Sequence, residues 1–334
     1  MKRAGGLYRQ IPTYENLCLA FWKACRGKQD RKEVIAFRSN FDGQVRKLQD
    51  ALLRHEPDIG HYRFFTVHDP KQRSICAAAF AERVLHHAIM NLCEPVLEAY
   101  AIHDTYACRK GKGGRKALDR AQSFARKHDW YLKLDIRKYF DTIDHRVLLD
   151  LLARRFKDKD LMRLFEKLLD TYHTAPGRGM PIGNLISQHL ANFYLGAFDH
   201  WIKEEQRIKG YVRYMDDMVV FGQDRAALKA LLKHIGHYLD GKLALRLKET
   251  VALNRCRHGL TFLGYRVFPD KILLSARSKR RFVHKFRLYE NKWHTGKWST
   301  NELVRHMEPL MEFTRAASST GLRRNVLKRF GVSS

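Results

Sequence analysis

Tyr214-Met215-Asp216-Asp217, set between Val212 and Val219-Val220-Phe221, places two adjacent carboxylates at the expected tip of a β-hairpin. Neighbouring carboxylates repel unless a cation or solvent relieves them. An ordinary solvated turn, where Asp is common, is the plain alternative. A third carboxylate shifts the balance. Asp135 ends the hydrophobic strand Tyr131-Leu132-Lys133-Leu134, where it is expected to face a cleft instead of the core. Asp135, Asp216 and Asp217 are therefore the candidate catalytic and metal-binding residues, able to hold two magnesium ions, with manganese as a substitute, against incoming phosphates. One ion would activate a 3′-hydroxyl and the other would neutralise charge on a leaving pyrophosphate. Phosphoryl transfer needs little else beyond positioning and charge. Asp141 and Asp144, in Phe140-Asp141-Thr142-Ile143-Asp144-His145, are weaker candidates and read as helix caps.

The elements that must position these groups follow from periodicity. Helical spacing runs over Asn16–Arg26 and over Val34–Arg54, the latter with Phe37, Phe41, Val45, Leu48 and Leu52 as its apolar stripe. His61–Val67 and Arg73–Cys76 read as a hairpin with a basic, polar tip, and Ala79–Glu98 as a long helix. Trp130–Asp135 is a strand; Arg146–Phe156, Leu161–Tyr172, Leu185–Glu205 and Arg225–Leu239 are helices. Tyr211–Phe221 is a hairpin, and Leu245–Leu253 and Thr261–Phe268 are short strands before a basic helical tail. The class is α+β, with antiparallel strands at the centre and helices around them.

Composition agrees with an anionic partner. The 334 residues carry 63 Lys and Arg against 35 Asp and Glu, a formal charge of +28, which favours nucleic acid. Ribosome-associated and membrane-surface proteins share such a balance. Cys18, Cys25, Cys76, Cys93, Cys108 and Cys256 are scattered without zinc spacing and read as buried thiols in a reducing cytoplasm. No signal-like N-terminus and no long apolar run point to a membrane. Arg109-Lys110-Gly111-Lys112-Gly113-Gly114-Arg115-Lys116 lacks the G-K-[ST] of a P-loop and fits backbone contact with nucleic-acid phosphates. His86-His87 read as structural.

Five segments, in order, resemble the motifs of reverse transcriptases. Leu134-Asp135-Ile136-Arg137-Lys138-Tyr139-Phe140-Asp141 resembles the first palm motif and Tyr214-Met215-Asp216-Asp217 the Y-x-D-D box. Gly179-Met180-Pro181-Ile182-Gly183-Asn184 resembles the loop-helix under the templating base, Leu247-Lys248 the motif with a mobile lysine, and Phe262-Leu263-Gly264-Tyr265 the primer grip. The likeness spans about residues 10–270. It implies a right-hand polymerase: an N-terminal helical extension (1–60), fingers (61–130), a palm with an antiparallel sheet (131–270, with part of the fingers inserted around 157–190) and a basic helical thumb (271–334). It also implies the Ile136 backbone carbonyl as a metal ligand and Phe140 as a steric gate against ribose. Lys71, Arg73 and Lys248 would contact the triphosphate, Ile182, Gly183 and Gln188 the template, and Phe262, Leu263 and Gly264 the primer.

Ile182-Gly183-Asn184-Leu185-Ile186-Ser187-Gln188 is similar to the enzymes of diversity-generating retroelements, where most intron-related relatives have Gln at the Ile182 position and Ser-Pro at Ser187-Gln188. Ala107-Cys108-Arg109-Lys110-Gly111-Lys112-Gly113 and Asp69-Pro70-Lys71-Gln72-Arg73 add to this likeness. Membership would imply copying template RNA into cDNA, through an RNA/cDNA hybrid and from dNTPs, with errors opposite adenine for mutagenic retrohoming. A small, basic, oligomeric accessory protein and a bacterial or phage-encoded cytoplasmic setting would follow. The alternatives are a retron, intron-type or antiphage-defence reverse transcriptase, and a non-catalytic RNA-binding protein on the same scaffold.

Overall fold

The computed structural model describes residues 2–68 and 72–331. It begins with α1 (Tyr14–Cys25), α2 (Lys32–Ser39), α3 (Phe41–Leu53), β1 (Tyr62–Val67), β2 (Arg73–Ala78), α4 (Phe80–Tyr100) and α5 (Gly114–Ala125). Next come β3 (Trp130–Asp135), α6 (Tyr139–Thr142), α7 (His145–Ala153), α8 (Lys159–Asp170), α9 (Leu185–Tyr194) and α10 (Gly196–His200). Then follow β4 (Tyr211–Tyr214), β5 (Asp217–Gly222), α11 (Arg225–Leu243), β6 (Ala252–Arg255), β7 (Leu260–Phe262), β8 (Tyr265–Val267) and β9 (Ile272–Leu274). The chain closes with α12 (Ala276–His294), α13 (Thr300–Arg315) and α14 (Thr320–Phe330). Two compact units form: Met1–His103 with Ile136–Arg207 and His234–Lys248, and Asp104–Asp135 with Ile208–Lys233 and Glu249–Ser334.

In the first unit, α1 starts where Thr13 accepts the Asn16 N–H, and its buried face of Leu17, Ala20, Phe21 and Ala24 packs on α4. Phe21 meets the rings of Phe37, Phe41 and Phe80 at 5.4, 4.9 and 5.9 Å. Burying one such ring contributes roughly 2–3 kcal/mol. The expected helix over Val34–Arg54 is in fact two, because Asn40 leaves helical geometry at φ −131° and ψ 52°. The apolar stripe survives the break: Phe37, Val45, Leu48 and Leu52 remain buried. β1 and β2 form an antiparallel hairpin with Phe65 opposite Ile75. The expected helix Leu185–Glu205 divides into α9, α10 and a π-helical turn at Trp201–Glu205.

The second unit is built on a four-stranded antiparallel sheet ordered β4-β5-β3-β6. Its buried Tyr131, Val212, Val219 and Phe221 pack with Ala117, Leu118 and Ala121 of α5 and with Phe262 and Tyr265. β7, β8 and β9 make a separate three-stranded sheet, and α12–α14 close over Phe282, Phe286, Leu310 and Val326. Two strand expectations are corrected here. Leu245–Val251 contributes only an isolated bridge at Leu247, and the strand begins at Ala252. Thr261–Phe268 is a hairpin, since Leu263 (φ 51°) and Gly264 (φ 86°) turn the chain in the left-handed region. Leucine rarely takes that conformation, so the turn carried no strong sequence signal. No helix among the described residues is long and apolar enough to cross a membrane.

Candidate active site

Antiparallel register brings the carboxylates together. Asp135, the last residue of β3, lies directly opposite Asp217, the first of β5, so both side chains leave the same face of the sheet. Tyr214 pairs with Asp217 as well, which leaves Met215-Asp216 as a two-residue turn. The hairpin tip is therefore Met215-Asp216, one residue earlier than expected, with Asp217 inside the ladder. Met215 takes φ 53°, the positive value that two-residue hairpins demand.

Two residues that sequence reasoning passed over support this arrangement. Lys133 shares the strand face of Asp135 two positions away, and its Nζ sits 3.2 Å from Asp217 Oδ1 while donating to the Thr261 carbonyl at 2.8 Å. The signal was present in Tyr131-Leu132-Lys133-Leu134-Asp135, where the two charged residues alternate with apolar ones. Arg213 is 1% exposed and donates from Nη1 to the Met215 carbonyl at 3.0 Å, bracing the turn. Its backbone N–H donates to Asp104 O and its carbonyl accepts from Tyr106 N, both at 3.0 Å.

Burial drives the Asp217 carboxyl up to about 6, against the pull of Lys133, and the charges of Asp135 and Asp216 push the same way as burial. A divalent cation would relieve that repulsion. Among the described residues no three His, Cys, Asp or Glu side chains converge closely enough to hold an ion by themselves. Magnesium does not need such a cage: it keeps waters and is held by one or two carboxylates together with substrate phosphates. The residues present fit that open mode, with the register-paired Asp135 and Asp217 and the turn residue Asp216 as donors.

The other candidates fall into separate groups. Phe262 is buried, and Leu263 and Gly264 form the β7–β8 turn, where a Cβ at Gly264 would meet Ser278 Oγ at 3.0 Å. In the first unit, Phe140 lies half-buried in α6, edge-on to Tyr139, and its carbonyl accepts the Met180 N–H at 2.8 Å. The Ile182 carbonyl accepts the Cys76 N–H at 2.7 Å, which ties that loop to β2. A Cβ on Gly183 (φ 120°) would lie 2.7 Å from Ile75 Cγ2 and 3.0 Å from the Cys76 carbonyl, so only glycine permits this approach. Gln188 lies in the first turn of α9, and Arg73 is exposed at the start of β2. Ile136 is fully buried and bridges Leu247, next to the half-buried Lys248. Lys71, with Asp69 and Pro70, lies outside the described residues. Asp144 caps α7 by accepting the Val147 N–H at 3.2 Å, as expected, and Asp141 belongs to α6.

Comparison with known proteins places this geometry in a family. Residues 67–267, more than half of the chain, match the family described as reverse transcriptase (RNA-dependent DNA polymerase). Protein YkfC of Escherichia coli is 25% identical over 274 residues, covering 66% of this chain and 71% of that protein. A putative COX1/OXI3 intron 2 protein of Saccharomyces cerevisiae is 26% identical, covering 56% of this chain and 29% of its own length. The group II intron-encoded protein LtrA of Lactococcus lactis is 26% identical, covering 47% and 27%. The chain thus spans less than a third of the two intron proteins. In fold it is similar to apo telomerase from Candida tropicalis, with a TM-score of 0.53 at 10% identity over 88% of this chain and 65% of that one. The chain has the right-hand polymerase fold and belongs to the reverse transcriptase family, the RNA-dependent DNA polymerases.

Proposed function

We propose that the protein copies an RNA template into DNA by metal-assisted nucleotidyl transfer at Asp135, Asp216 and Asp217, and that it is an error-prone enzyme of the diversity-generating group. The observation carrying the chemistry is the Asp135–Asp217 register pair, with Asp216 in the adjoining turn. When bound, two divalent ions supply Lewis acidity to the attacking hydroxyl and charge neutralisation to the leaving pyrophosphate. The protein's part is to hold three carboxylates on a rigid strand and turn, braced by Arg213, and to keep Lys133 as a counter-charge for Asp217. Phe140 is assigned the gate against ribose, and Arg73, Lys71 and Lys248 the triphosphate contacts. The Ile136 carbonyl completes the metal ligands, and Phe262-Leu263-Gly264 steady the primer.

The subgroup reading rests on Ile182 to Gln188. Ile182 presents no hydrogen-bonding group from its side chain, so alignment of a nascent pair beside it would rely on shape alone. The fixed loop around it, latched through the Ile182 carbonyl and Gly183, supports a template-side role. The residue ranges named for extension, fingers, palm and thumb, and a small basic accessory protein, belong to the same proposal. An intron-type enzyme is the second reading, favoured by the intron-encoded relatives. Primer extension on an adenine-containing RNA with magnesium and dNTPs, with Asp216→Ala as control and the products sequenced, tests all of this. DNA synthesis lost in the variant, with errors concentrated opposite adenine, supports the whole reading. Faithful synthesis moves the chain to another reverse-transcriptase lineage, and silence with the accessory protein and cognate RNA added sinks the polymerase assignment.

A further inference from the structure

Lys133, Asp217 and Thr261 lie in the same compact unit, and the Lys133 ammonium joins the other two. Its Nζ sits 3.2 Å from Asp217 Oδ1 and donates to the Thr261 carbonyl at 2.8 Å. Both charged side chains are 24% exposed, so a ligand can reach them and their charges are only partly screened. The carbonyl belongs to β7, which continues through Phe262 into the Leu263-Gly264 turn. β7, β8 and β9 form a sheet of their own, so no ladder of backbone bonds joins β7 to β3. Packing around Phe262 bridges the two sheets, together with two side chains of β3. The Tyr131 hydroxyl donates to the Gly259 carbonyl at 3.4 Å, and Lys133 reaches Thr261. Period-two alternation puts Tyr131, Lys133 and Asp135 on one face of β3. That face thus carries a metal donor and both bonds to the strand assigned to the primer.

A lysine in this place has two demands on it that conflict. The ammonium cannot stay 3.2 Å from Asp217 Oδ1 once that oxygen holds a divalent cation, because like charges repel. Its flexible four-carbon stem lets it leave. Leaving does not strand it, since the Thr261 carbonyl still takes one of its three N–H donors. That carbonyl is neutral, however, and a half-sheltered ammonium needs an anion as well. The anion that primer-directed synthesis brings to β7 is the backbone of the primer itself.

We propose that Lys133 is a positioning residue that exchanges anions about the Thr261 carbonyl, holding Asp217 in the free protein and a primer phosphate once metal is bound. This task rests on Asp217 as a metal donor and on the β7–β8 turn beside the primer, as the polymerase reading has them. Metal and primed template then bind cooperatively, because metal frees Lys133 for the primer and the primer draws it off Asp217; the coupling is reciprocal. The test uses the full chain without dNTP. Electron paramagnetic resonance measures manganese binding with and without a DNA primer annealed to an RNA template, and anisotropy measures that duplex in manganese or in EDTA. In wild type each ligand should tighten the other by the same factor, about fivefold or more. Lys133→Met removes the ammonium, and Lys133→Gln keeps a donor for Thr261 without the charge. Both should bind manganese about fivefold more tightly than wild type when no duplex is present, and their coupling should fall to within about twofold of none. Their duplex salt slope in manganese should flatten by roughly one, the mark of a lost phosphate contact. Removing a lysine that only balances charge would tighten manganese equally with and without duplex. Removing one that only braces β7 would lower stability, be rescued by Gln and leave the coupling intact. Either result overturns the exchange. So does a wild type that extends primer with no coupling, which leaves the polymerase reading standing. Coupling in a wild type that extends no primer sinks the polymerase reading and keeps the exchange, and a chain that binds neither manganese nor duplex overturns both.

Discussion

Asp217→Asn should make the metal-free protein more stable while abolishing DNA synthesis. The Asp217 side chain is 24% exposed, and its carboxyl is raised from 3.8 to about 6. At about 1.4 kcal/mol per pKa unit, the ionised group costs the folded state about 3 kcal/mol above pH 6. The asparagine amide resembles the protonated acid and carries no charge, so most of that cost disappears. Lys133 still donates to the Thr261 carbonyl at 2.8 Å, so the ammonium is not stranded. The sign follows from proton binding. A raised carboxyl means that the folded state holds the proton more tightly, so wild type gains stability as pH falls from about 6 to about 4. The variant does not titrate there. Urea unfolding in EDTA should therefore give the variant an advantage of about 2–3 kcal/mol at pH 7.5, shrinking towards zero near pH 4. Magnesium with a primed template and dNTP should stabilise wild type and leave the variant unmoved. A variant that is less stable than wild type at pH 7.5, or an advantage that ignores pH, would refute the electrostatic account of the site.

The remaining expectations are more local. Gly183→Ala should destabilise the first unit by on the order of 2 kcal/mol or more, because a Cβ 3.0 Å from the Cys76 carbonyl meets backbone that cannot step aside; thermal unfolding measures it. Arg213→Met should lower kcat with little change in KM for dNTP, since it frees the Met215 turn and touches no substrate; steady-state kinetics separate the two. Phe140→Ala should raise ribonucleotide incorporation, read as the dNTP-to-rNTP ratio of kcat/KM, and an unchanged ratio removes the gate assignment. Ile182→Gln should lower misincorporation opposite adenine in sequenced products, and an unaltered spectrum removes Ile182 from the explanation.

The strands β3, β4 and β5 were legible because their chemistry is local. Trp130–Asp135 alternates charged and apolar side chains towards its end, and the resulting strand has those bounds. The Asp144 cap was legible for the same reason. What could not be read was geometry set by distant partners. Leu263 at positive φ follows a β pattern in sequence and turns only because β7 and β8 pair around it. Asn40 divides a continuous apolar stripe, which periodicity alone does not register. Lys133 became part of the site only through the register that sets β5 beside β3.

The Asp135–Asp217 register also bears on biosynthesis. Asp217 follows Asp135 by 82 positions, so at about 5–20 residues per second the second carboxylate is made roughly 4–16 s after the first. During that interval the β3 segment lacks both of its neighbours, since β6 is later still, and Tyr131, Leu132 and Leu134, buried in the folded sheet, have no pairing partner. Open apolar edges invite mispairing between chains. Lys133 and Asp135, one of each sign on the same face, break that run with charge while the nascent chain waits. Neutralising both Lys133 and Asp135 should therefore lower soluble yield before any catalytic defect is measured.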